Sequence, residues 1–486
     1  MHKMFAGFVA LVCVGCTAPV KPPDLGGLYS RAARTQRRNP VIVIPGILGS
    51  KLVDGRTQRV VWGAFSRDYA NPQTPDGARL VALPMREGAT LAELRDEVRP
   101  DGVLDRVRLN LLGLPVELQA YVNILATLGV GGYRDQLLGQ AGAVDYGPLH
   151  YTCFQFDYDW RRDNVENARR LAEFIREKRA YCAKAAPRES GLAEPGMKFD
   201  MKFDIVAHSM GGLVTRYFLM YGDADLPADG STPSVTWAGA RDVERVILIG
   251  TPNAGSVEAL YELVNGAEIG PTLPTYSPAV LGTMPSVYEL MPRGRHGALV
   301  EAADESRKIE NICDPALWER MKWGLASPGQ ERELKWLLPD VHDAAARRRI
   351  ALDHQAKCLK RAEQFAAALD TPATPPAGMS LYLFAGDAVE TVAAAAADAK
   401  TGSLRIVRRA PGDGTVLRSS ALMDERVGGE WTPALQSPVR WSGVNFLFVN
   451  HLDLTKSPAF SDNVLYLLLE GPRPERAATP SADPSS

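Results

Sequence analysis

Short runs of apolar, often β-branched residues recur along the chain, and most are followed by a turn residue and then by a helical pattern. Runs of this length without polar alternation are typical of strands buried on both faces of a sheet. Because parallel strands need helical crossovers, the alternation predicts a mostly parallel sheet with helices on both faces. The expected strands are residues 41–46, 154–160, 202–208, 245–250, 381–384 and 445–449.

Apolar positions at helical spacing predict the helices between these strands. The clearest are expected over 163–182 and 211–221, with a last one over 462–470. Residues 116–138 have the same spacing and predict an amphipathic helix. Residues 255–372 interrupt the alternation with sequence rich in Glu, Arg, Lys, Ala and Trp, which is typical of an inserted helical cap.

This pattern predicts a core built from two separate parts of the chain. The parts are residues 39–254, with an insertion at about 53–115, and residues 376–471. The helical cap or lid occupies 255–375 between them. Residues 472–486 are rich in Pro, Ala and Ser and are expected to be a disordered tail.

The N-terminus has the pattern of an export signal. Lys3 precedes an apolar stretch, residues 4–14, that is too short to span a bilayer. The stretch leads into Cys16 and resembles the lipobox of bacterial lipoproteins, whose cysteine is lipidated after cleavage. We therefore expect a signal peptide at 1–15, a lipidated N-terminus and flexible tether at 16–38, and a bacterial membrane anchor facing the periplasm or the cell exterior. A plain secretory signal cleaved nearby is the alternative.

Composition, charge and motif content argue against several classes of function. Of the 486 residues 23% are charged, the formal net charge is −2, and no dense Lys/Arg run is present, so nucleic-acid binding is not expected. No spacing of His, Cys, Asp and Glu indicates a metal site. The sequence has no Gly-rich phosphate loop or dinucleotide fingerprint, so no cofactor is expected.

The cysteines after Cys16 leave two alternatives open. Export permits disulfides, and four cysteines allow three pairings. Pairing of nearest neighbours would join Cys153 to Cys182 and Cys313 to Cys358. Free buried thiols are the equal alternative.

The junction between the strand 202–208 and the helix 211–221 carries the first candidate chemistry. The segment from Ala207 to Gly212, Ala-His-Ser-Met-Gly-Gly, stands directly between them. This is the context of the nucleophile elbow of α/β-hydrolases, in which small neighbours let the backbone pass closely around an exposed serine. Ser209 is therefore the expected nucleophile, although the general motif has Gly where Ala207 stands.

A serine hydroxyl needs a base that takes its proton, and in α/β-hydrolases the acid and the histidine follow the serine in the chain. His451 directly follows the strand 445–449, at the sheet edge that the elbow faces, and is the expected base. His208 adjoins Ser209 but would point away from it, so a structural role is expected. Three histidines fall on charged sequence of the cap, where a solvated role is expected: His296, His342 and His354.

Two carboxylates are almost equally placed to orient the base. Asp413 lies in the turn Gly412–Val416, and Asp387 follows the strand 381–384, the usual position of a triad acid. Asp453, two residues beyond the base, is a third and more distant alternative. Fold geometry alone does not separate Asp413 from Asp387.

The oxyanion hole needs two backbone N–H donors at the point where negative charge develops. One is expected from Met210, the residue after the nucleophile. The other is expected from the loop 45–50, where Gly46 permits a turn that aims the N–H of Ile47 inward.

Five segments together resemble the lecithin:cholesterol acyltransferase family, which includes phospholipid:diacylglycerol acyltransferases and lysosomal phospholipase A2. The family's own elbow has the alanine found at 207, and the resemblance implies Asp413 as the acid and Ile47 as an oxyanion donor. It also implies that Trp62 corresponds to a tryptophan near the start of a mobile lid, although the flanking residues differ. The segments span about residues 40 to 455 and are Pro45–Leu52, Asp157–Arg161, Ala207–Gly212, Gly412–Val416 and Asn450–His451.

The resemblance implies an O-acyltransferase, phospholipase or lipase that forms an acyl-enzyme on Ser209. The expected partners are a phospholipid or acylglycerol, an acceptor that is an alcohol or water, and a membrane surface reached through the N-terminal lipid. Two alternatives stay open: a carboxylesterase or lipase without transferase activity, and a non-catalytic, surface-anchored binding protein on a hydrolase scaffold.

Overall fold

The computed structural model describes residues 24–29, 38–63, 69–104, 106–111, 114–119, 121–190, 201–268 and 274–473. The predicted signal peptide and the lipidation site at Cys16 lie outside the described residues, as does most of the predicted tail. Of the predicted tether the described part is mainly the short helix Leu25–Tyr29, which is anchored by the buried ring of Tyr29.

The described residues form seventeen strands. In chain order they are β1 (Val41–Ile44), β2 (Ser50–Asp54), β3 (Val60–Trp62), β4 (Val98–Val103), β5 (Arg106–Leu111), β6 (Leu114–Gln119), β7 (Cys153–Gln155), β8 (Phe203–His208), β9 (Val243–Ile249), β10 (Ala267–Glu268), β11 (Thr275–Tyr276), β12 (Leu299–Glu301), β13 (Asp304–Lys308), β14 (Ser380–Gly386), β15 (Val389–Ala397), β16 (Leu404–Gly412) and β17 (Gly443–Leu447).

Fourteen α-helices connect and cover these strands within the described ranges. They are α1 (Leu25–Tyr29), α2 (Pro75–Val81), α3 (Val122–Val130), α4 (Gln136–Gln140), α5 (Asn164–Ser190), α6 (Met210–Tyr221), α7 (Val257–Asn265), α8 (Pro278–Leu281), α9 (Pro285–Glu289), α10 (Pro315–Met321), α11 (Glu331–Leu337), α12 (Ala344–Asp370), α13 (Arg418–Leu422) and α14 (Pro458–Leu465).

Six strands form the central sheet in the order β17-β14-β9-β8-β1-β7, and every neighbouring pair is parallel. All six correspond to strands expected from the apolar runs, which confirms the predicted parallel sheet. The chain adds β7 on one side of β1 and then returns to add β8 on the other side. Ligand sites of open α/β sheets lie at the carboxyl ends of the strands where the order reverses in this way, here after β1 and β8.

Alternate residues of β1 show how both faces of the sheet are covered. Ile42 and Ile44 pack in one apolar cluster with side chains of α5, α6 and α7. Val41 and Val43 pack in a second cluster with side chains of α3 and α14. All four β1 side chains are fully buried, so the apolar run in the sequence reflects a strand with no solvent face.

Two expected elements differ from the structure. The helix predicted over 116–138 is wrong at its start, because 114–119 pairs as strand β6 with β5 and the helix α3 begins only at Val122. Glycines at 131 and 132 then end α3, and Gly132 has a positive φ of 77°. The strand predicted over 154–160 is only the three residues of β7, and the chain leaves the sheet after Gln155.

The segment 255–375 contains helices α7 to α12 and also four short strands, β10 to β13. One of these, β12, pairs in parallel with β15 and joins a four-stranded sheet with the order β13-β12-β15-β16. The segment is therefore tied to the second part of the core by backbone hydrogen bonds. Among the described helices none combines the length and apolar character needed to cross a bilayer.

The nearest-neighbour disulfides are not formed. Cys153, Cys182, Cys313 and Cys358 are all free thiols, and three of the four are buried. Burial raises the pKa of the Cys182 and Cys313 thiols to about 12, which keeps them protonated. Of the two alternatives, the structure therefore has free thiols at all four cysteines.

Candidate active site

Ser209 stands on a strained turn between β8 and α6. Its backbone has φ 53° and ψ −127°, a conformation that non-glycine residues rarely adopt. The strain is sustained because Ser209 N–H donates a 2.8 Å hydrogen bond to Ile249 O at the end of β9. This is the geometry of a nucleophile elbow, and it places Ser209 at the carboxyl edge of the sheet.

The elbow lies so close to the loop after β1 that only glycines fit between them. A Cβ atom at Gly46 would stand 2.7 Å from Ser209 Cβ, and one at Gly211 would stand 2.3 Å from Pro45 O. A Cβ at Gly212 would meet Thr251 Oγ1 at 2.0 Å. These distances explain the small residues that flank the serine in the sequence.

The loop 45–50 is the expected source of the second oxyanion donor, and it forms a tight turn. Gly49 N–H donates to Gly46 O at 3.1 Å, and Leu48 has a positive φ of 62°. Ile47 lines a cavity together with Ser209. Met210 begins α6, so its N–H is among the donors that a helix leaves unpaired at its N-terminus.

Trp62 supports this loop from below. It lies in β3 and is 4% exposed, and its indole N–H donates to Leu48 O at 2.6 Å. Its ring packs edge-on against Trp160, with ring centres 5.8 Å apart. The structure thus places Trp62 in the core against the loop, and its correspondence to the tryptophan near the family's lid stays a prediction.

The segment Asp157–Arg161 also fixes the loop. Tyr158 Oη donates to Pro45 O at 2.8 Å, and Trp160 lines the cavity beside Ser209. Arg161 is fully buried and pairs with Asp159 at 2.8 Å, which keeps the turn after β7 rigid. After Gln155 the chain therefore contacts the neighbouring loop and no longer pairs in the sheet.

His451 and Asp413 are in direct contact. His451 Nδ1 lies 2.8 Å from Asp413 Oδ2, and His451 N–H donates to Asp413 O at 2.9 Å. The other carboxylate oxygen, Oδ1, accepts backbone N–H groups from Thr415 at 3.0 Å and Val416 at 2.6 Å. Burial alone would raise the pKa of Asp413, but the His451 charge and these hydrogen bonds outweigh it and hold the pKa below its usual value.

The alternative acids make other contacts. Asp387 Oδ2 lies 3.9 Å from Arg418 Nε, and Asp453 Oδ1 accepts from Lys456 Nζ at 2.7 Å. Neither contacts His451 among the described contacts. The geometry therefore brings Asp413, and not Asp387, to the expected base.

The histidines of the cap segment are not uniformly solvated. His342 is exposed, as expected. His354 is 2% exposed and its Nε2 lies 3.0 Å from Thr283 O, while His296 contacts Glu425 at 3.1 Å. The solvated role expected for His354 is wrong, because His354 lies on the buried face of α12, which packs against the rest of the segment.

Ser209 and His451 both lie beside the end of β9. A Cβ atom at Gly250 would stand 3.0 Å from the His451 ring. The N–H of Ser209 donates a hydrogen bond to the carbonyl oxygen of Ile249, the residue before Gly250. Within the described residues Ser209 Oγ makes no hydrogen bond to His451. Such bonds often tighten only when substrate is bound, so the serine–histidine proton transfer stays a prediction.

A cavity of about 490 Å³ lies over Ser209. This volume is in the range of small-molecule sites. Its floor includes Ile47, Trp160 and residues 414–416 beside Asp413. Its apolar wall comes from the segment 255–375: Ala259, Tyr276, Leu281, Met284, Val287 and Leu290.

Two carboxylates interrupt this apolar wall. Glu258 and Glu262 are one turn apart on α7 and face the cavity, with Arg409 nearby on β16. Burial, and then the charge of Glu258, raise the pKa of Glu262 to about 7. The cavity wall therefore gains a negative charge as the pH rises through neutrality.

A second cavity of about 470 Å³ is lined by basic residues that include Lys308 and Arg408. It contains neither Ser209 nor Ile47, and both basic side chains already donate to backbone carbonyls, of Gly428 and Gly297 respectively. The expected nucleophile and oxyanion loop therefore line the first cavity and not this one.

The elbow, the histidine–carboxylate pair and the parallel sheet define an α/β-hydrolase. A solved chain described as part of the Tle4-Tli4 complex is 16% identical and has a TM-score of 0.54, covering 90% of this chain and 99% of its own. EstA from Clostridium botulinum is 12% identical, with a TM-score of 0.32 and coverage of 94% and 92%. The first of these similarities, at 16% identity, concerns the fold alone. No curated protein sequence matches the chain.

The family model for lecithin:cholesterol acyltransferase matches residues 149–324. The match includes the segment after β7 and the elbow, and it stops before Asp413 and His451. The chain has an α/β-hydrolase fold, and over residues 149–324 its sequence is similar to the lecithin:cholesterol acyltransferase family, the resemblance that its five motifs predicted. This match supports an enzyme that acts on lipid esters.

The supports of the oxyanion loop were missed in the sequence. Tyr158 stands in a recognised segment, so a role near the site was foreseeable. Trp62 was singled out for a different role, and Tyr121, whose Oη accepts Gly46 N–H, stands in none of the five segments. Only the folded chain brings residue 121 to residue 46.

The assignment of Asp413 predicts a large difference between two matched variants. Asp413→Asn should lower kcat for ester cleavage by about 10⁴-fold, because an amide favours the wrong imidazole tautomer. Asp387→Asn should leave kcat near the wild-type value, since Asp387 faces Arg418. Steady-state kinetics on a chromogenic ester measure both, and a larger loss in Asp387→Asn would contradict the assignment.

The Glu262 carboxyl predicts a pH dependence of binding. It is neutral below about pH 7 and charged above it, so KM for an ester with an anionic head should rise from pH 6 to pH 8. About fivefold is expected, from roughly 1 kcal/mol of charge repulsion in a partly solvated cavity. Glu262→Gln should remove the rise, while the exposed rim variant Glu268→Gln should retain it. If KM still rises from pH 6 to pH 8 in Glu262→Gln, a group other than Glu262 causes the rise.

Proposed function

We propose that the chain catalyses serine-dependent acyl transfer on lipid esters, with Ser209, His451 and Asp413 as the triad. The observation that carries the proposal is the strained elbow, which directs Ser209 into the cavity beside the paired His451 and Asp413. Hydrolysis and transfer to an alcohol share the same first half-reaction.

In the first half-reaction Ser209 Oγ attacks the ester carbonyl carbon, and its proton passes to His451 Nε2. The carbonyl oxygen becomes an oxyanion that accepts the N–H groups of Ile47 and Met210. Asp413 stabilises the imidazolium. Collapse breaks the ester C–O bond, His451 returns the proton to the leaving alcohol, and an acyl-Ser209 remains.

In the second half-reaction water or an alcohol loses a proton to His451 and attacks the acyl carbon. This releases a fatty acid or a new ester, and Ser209 regains its proton. Which acceptor enters depends on how well the cavity excludes water. The apolar wall from 255–375 suits an acyl chain, and the family resemblance favours phospholipids or acylglycerols as donors.

We further propose that the chain is exported and held on a bacterial membrane by a lipid on Cys16. The support is the short apolar stretch at 4–14 followed by the lipobox-like cysteine. A membrane anchor would bring the cavity to its lipid-ester substrate. A single acyl chain binds membranes only weakly, so a stable anchor needs a second acyl chain or another membrane contact.

The acyl acceptor is identified by product analysis. Purified enzyme with labelled phospholipid should give labelled free fatty acid, and added long-chain alcohol or sterol should divert label into a new ester. If only fatty acid forms with every acceptor, the transferase part of the proposal is wrong. Ser209→Ala is the control and should form neither product.

The same preparation decides whether the chain is a catalyst or a binding protein. A fluorophosphonate probe should label folded wild-type protein and not Ser209→Ala, because labelling requires an activated serine. Folded protein that binds lipid vesicles without labelling would exclude the enzyme in favour of a binding role.

The lipid anchor predicts that Cys16→Ser abolishes labelling by radioactive palmitate in a bacterial host. The variant should also leave the membrane fraction for the soluble fraction. Cys13→Ser is the matched control and should remain labelled. Wild-type protein without label, or a labelled Cys16→Ser, would contradict the anchor.

A further inference from the structure

Tyr121 joins the oxyanion loop to the elbow, although it stands at the start of α3, far from both in sequence. Its side chain is buried, and its Oη accepts the N–H of Gly46 at 2.7 Å. Gly46 directly precedes Ile47, the proposed oxyanion donor. The hydroxyl group of Tyr121, which lies outside the loop, therefore holds the Pro45–Gly46 peptide unit, the one directly before the unit that carries the Ile47 N–H.

The same hydroxyl reaches the base through His208. Tyr121 Oη lies 3.0 Å from His208 Nδ1, and His208 Nε2 lies 3.4 Å from the backbone O of His451. The His208 ring also packs against the His451 ring, with ring centres 4.8 Å apart. Three hydrogen bonds thus connect Gly46 to His451 through Tyr121 and His208.

The direction of each bond follows from the chemistry of its ends. A carbonyl oxygen only accepts, so His208 Nε2 must carry a proton toward His451 O. In a neutral imidazole Nδ1 is then the acceptor, and the Tyr121 hydroxyl must donate to it. Oη is left free to accept from Gly46, so every donor in the chain has one acceptor.

Burial keeps this arrangement in one protonation state. Burial, and then the charge of His451, lower the pKa of His208 to about 3, while burial raises the pKa of Tyr121 well above its usual value. Both groups therefore stay neutral at any pH at which His451 can act as a base. A neutral His208 also avoids repelling the imidazolium that forms on His451.

We propose that Tyr121 and His208 form a hydrogen-bond relay that fixes the position of the oxyanion loop relative to the catalytic histidine. The inference rests on the proposed function, since it assigns roles to Ile47 and His451. Tyr121 and His208 are positioning residues, because they act on the reaction only through their contacts with Gly46 and His451. This gives His208 a definite task in place of the general structural role expected from the sequence.

The first test removes only the hydroxyl. Tyr121→Phe leaves Gly46 N–H and His208 Nδ1 without their partner, so kcat for ester cleavage should fall about 10-fold with KM nearly unchanged, less than the loss of a direct oxyanion donor. The matched control is Tyr221→Phe, whose Oη donates to Ala368 O at 2.8 Å, away from the site. If both variants have the same kcat and the same melting temperature, the relay is wrong.

The second test asks whether the bonds act as one unit. His208→Phe keeps a planar ring but removes both the acceptor for Tyr121 and the donor toward His451 O. In a relay the double variant Tyr121→Phe/His208→Phe should lose no more kcat than the more damaged single variant. Losses that multiply would show two independent supports and would overturn the inference.

The third test needs no variant to be active. In wild-type protein labelled with ¹⁵N-histidine, His208 should be the neutral Nε2–H tautomer from pH 5 to pH 8, assigned by loss of its signal in His208→Phe. A protonated ring or the Nδ1–H tautomer would overturn the relay. Absent esterase activity in the wild type would instead contradict the proposed function and leave this tautomer measurement decisive for the relay.

Discussion

The contact between the loop after β1 and the turn after β8 is the constraint on which the rest of the site depends. Gly46 and Ser209 approach so closely that a methyl group at residue 46 would overlap the serine side chain. This closeness lets a backbone N–H of the loop and one of α6 converge on the same point. It also requires Ser209 to hold a positive φ, a strained conformation that costs of order 1–3 kcal/mol.

Three aromatic side chains hold the loop after β1 in its place against the elbow. Tyr158 bonds Pro45 O, Tyr121 bonds Gly46 N–H, and Trp62 bonds Leu48 O. Each comes from a different element, and all three rings are buried, where unpaired polar groups are costly. The loop is therefore preorganised before substrate arrives, which is what electrostatic stabilisation of an oxyanion requires.

The sequence predicted the parts of this structure that depend on local pattern. The six central strands and the elbow follow from apolar runs and one short motif, and His451 follows from its place after β17. The choice of Asp413 needed the family resemblance, because both carboxylates lie on loops at the same edge. The hairpin β5–β6, the burial of Trp62 and the contacts of Tyr121 depend on pairings between residues distant in the chain, which local periodicity does not encode.

If Ser209 carries the acyl group during turnover, rapid quenching should trap the acyl-enzyme on it. Protein mixed with a phospholipid and quenched in acid within milliseconds should gain the mass of one acyl chain, on the peptide that contains Ser209. The adduct should decay at the rate of product release. Turnover without an adduct on Ser209, or turnover that survives in Ser209→Ala, would contradict this role of Ser209.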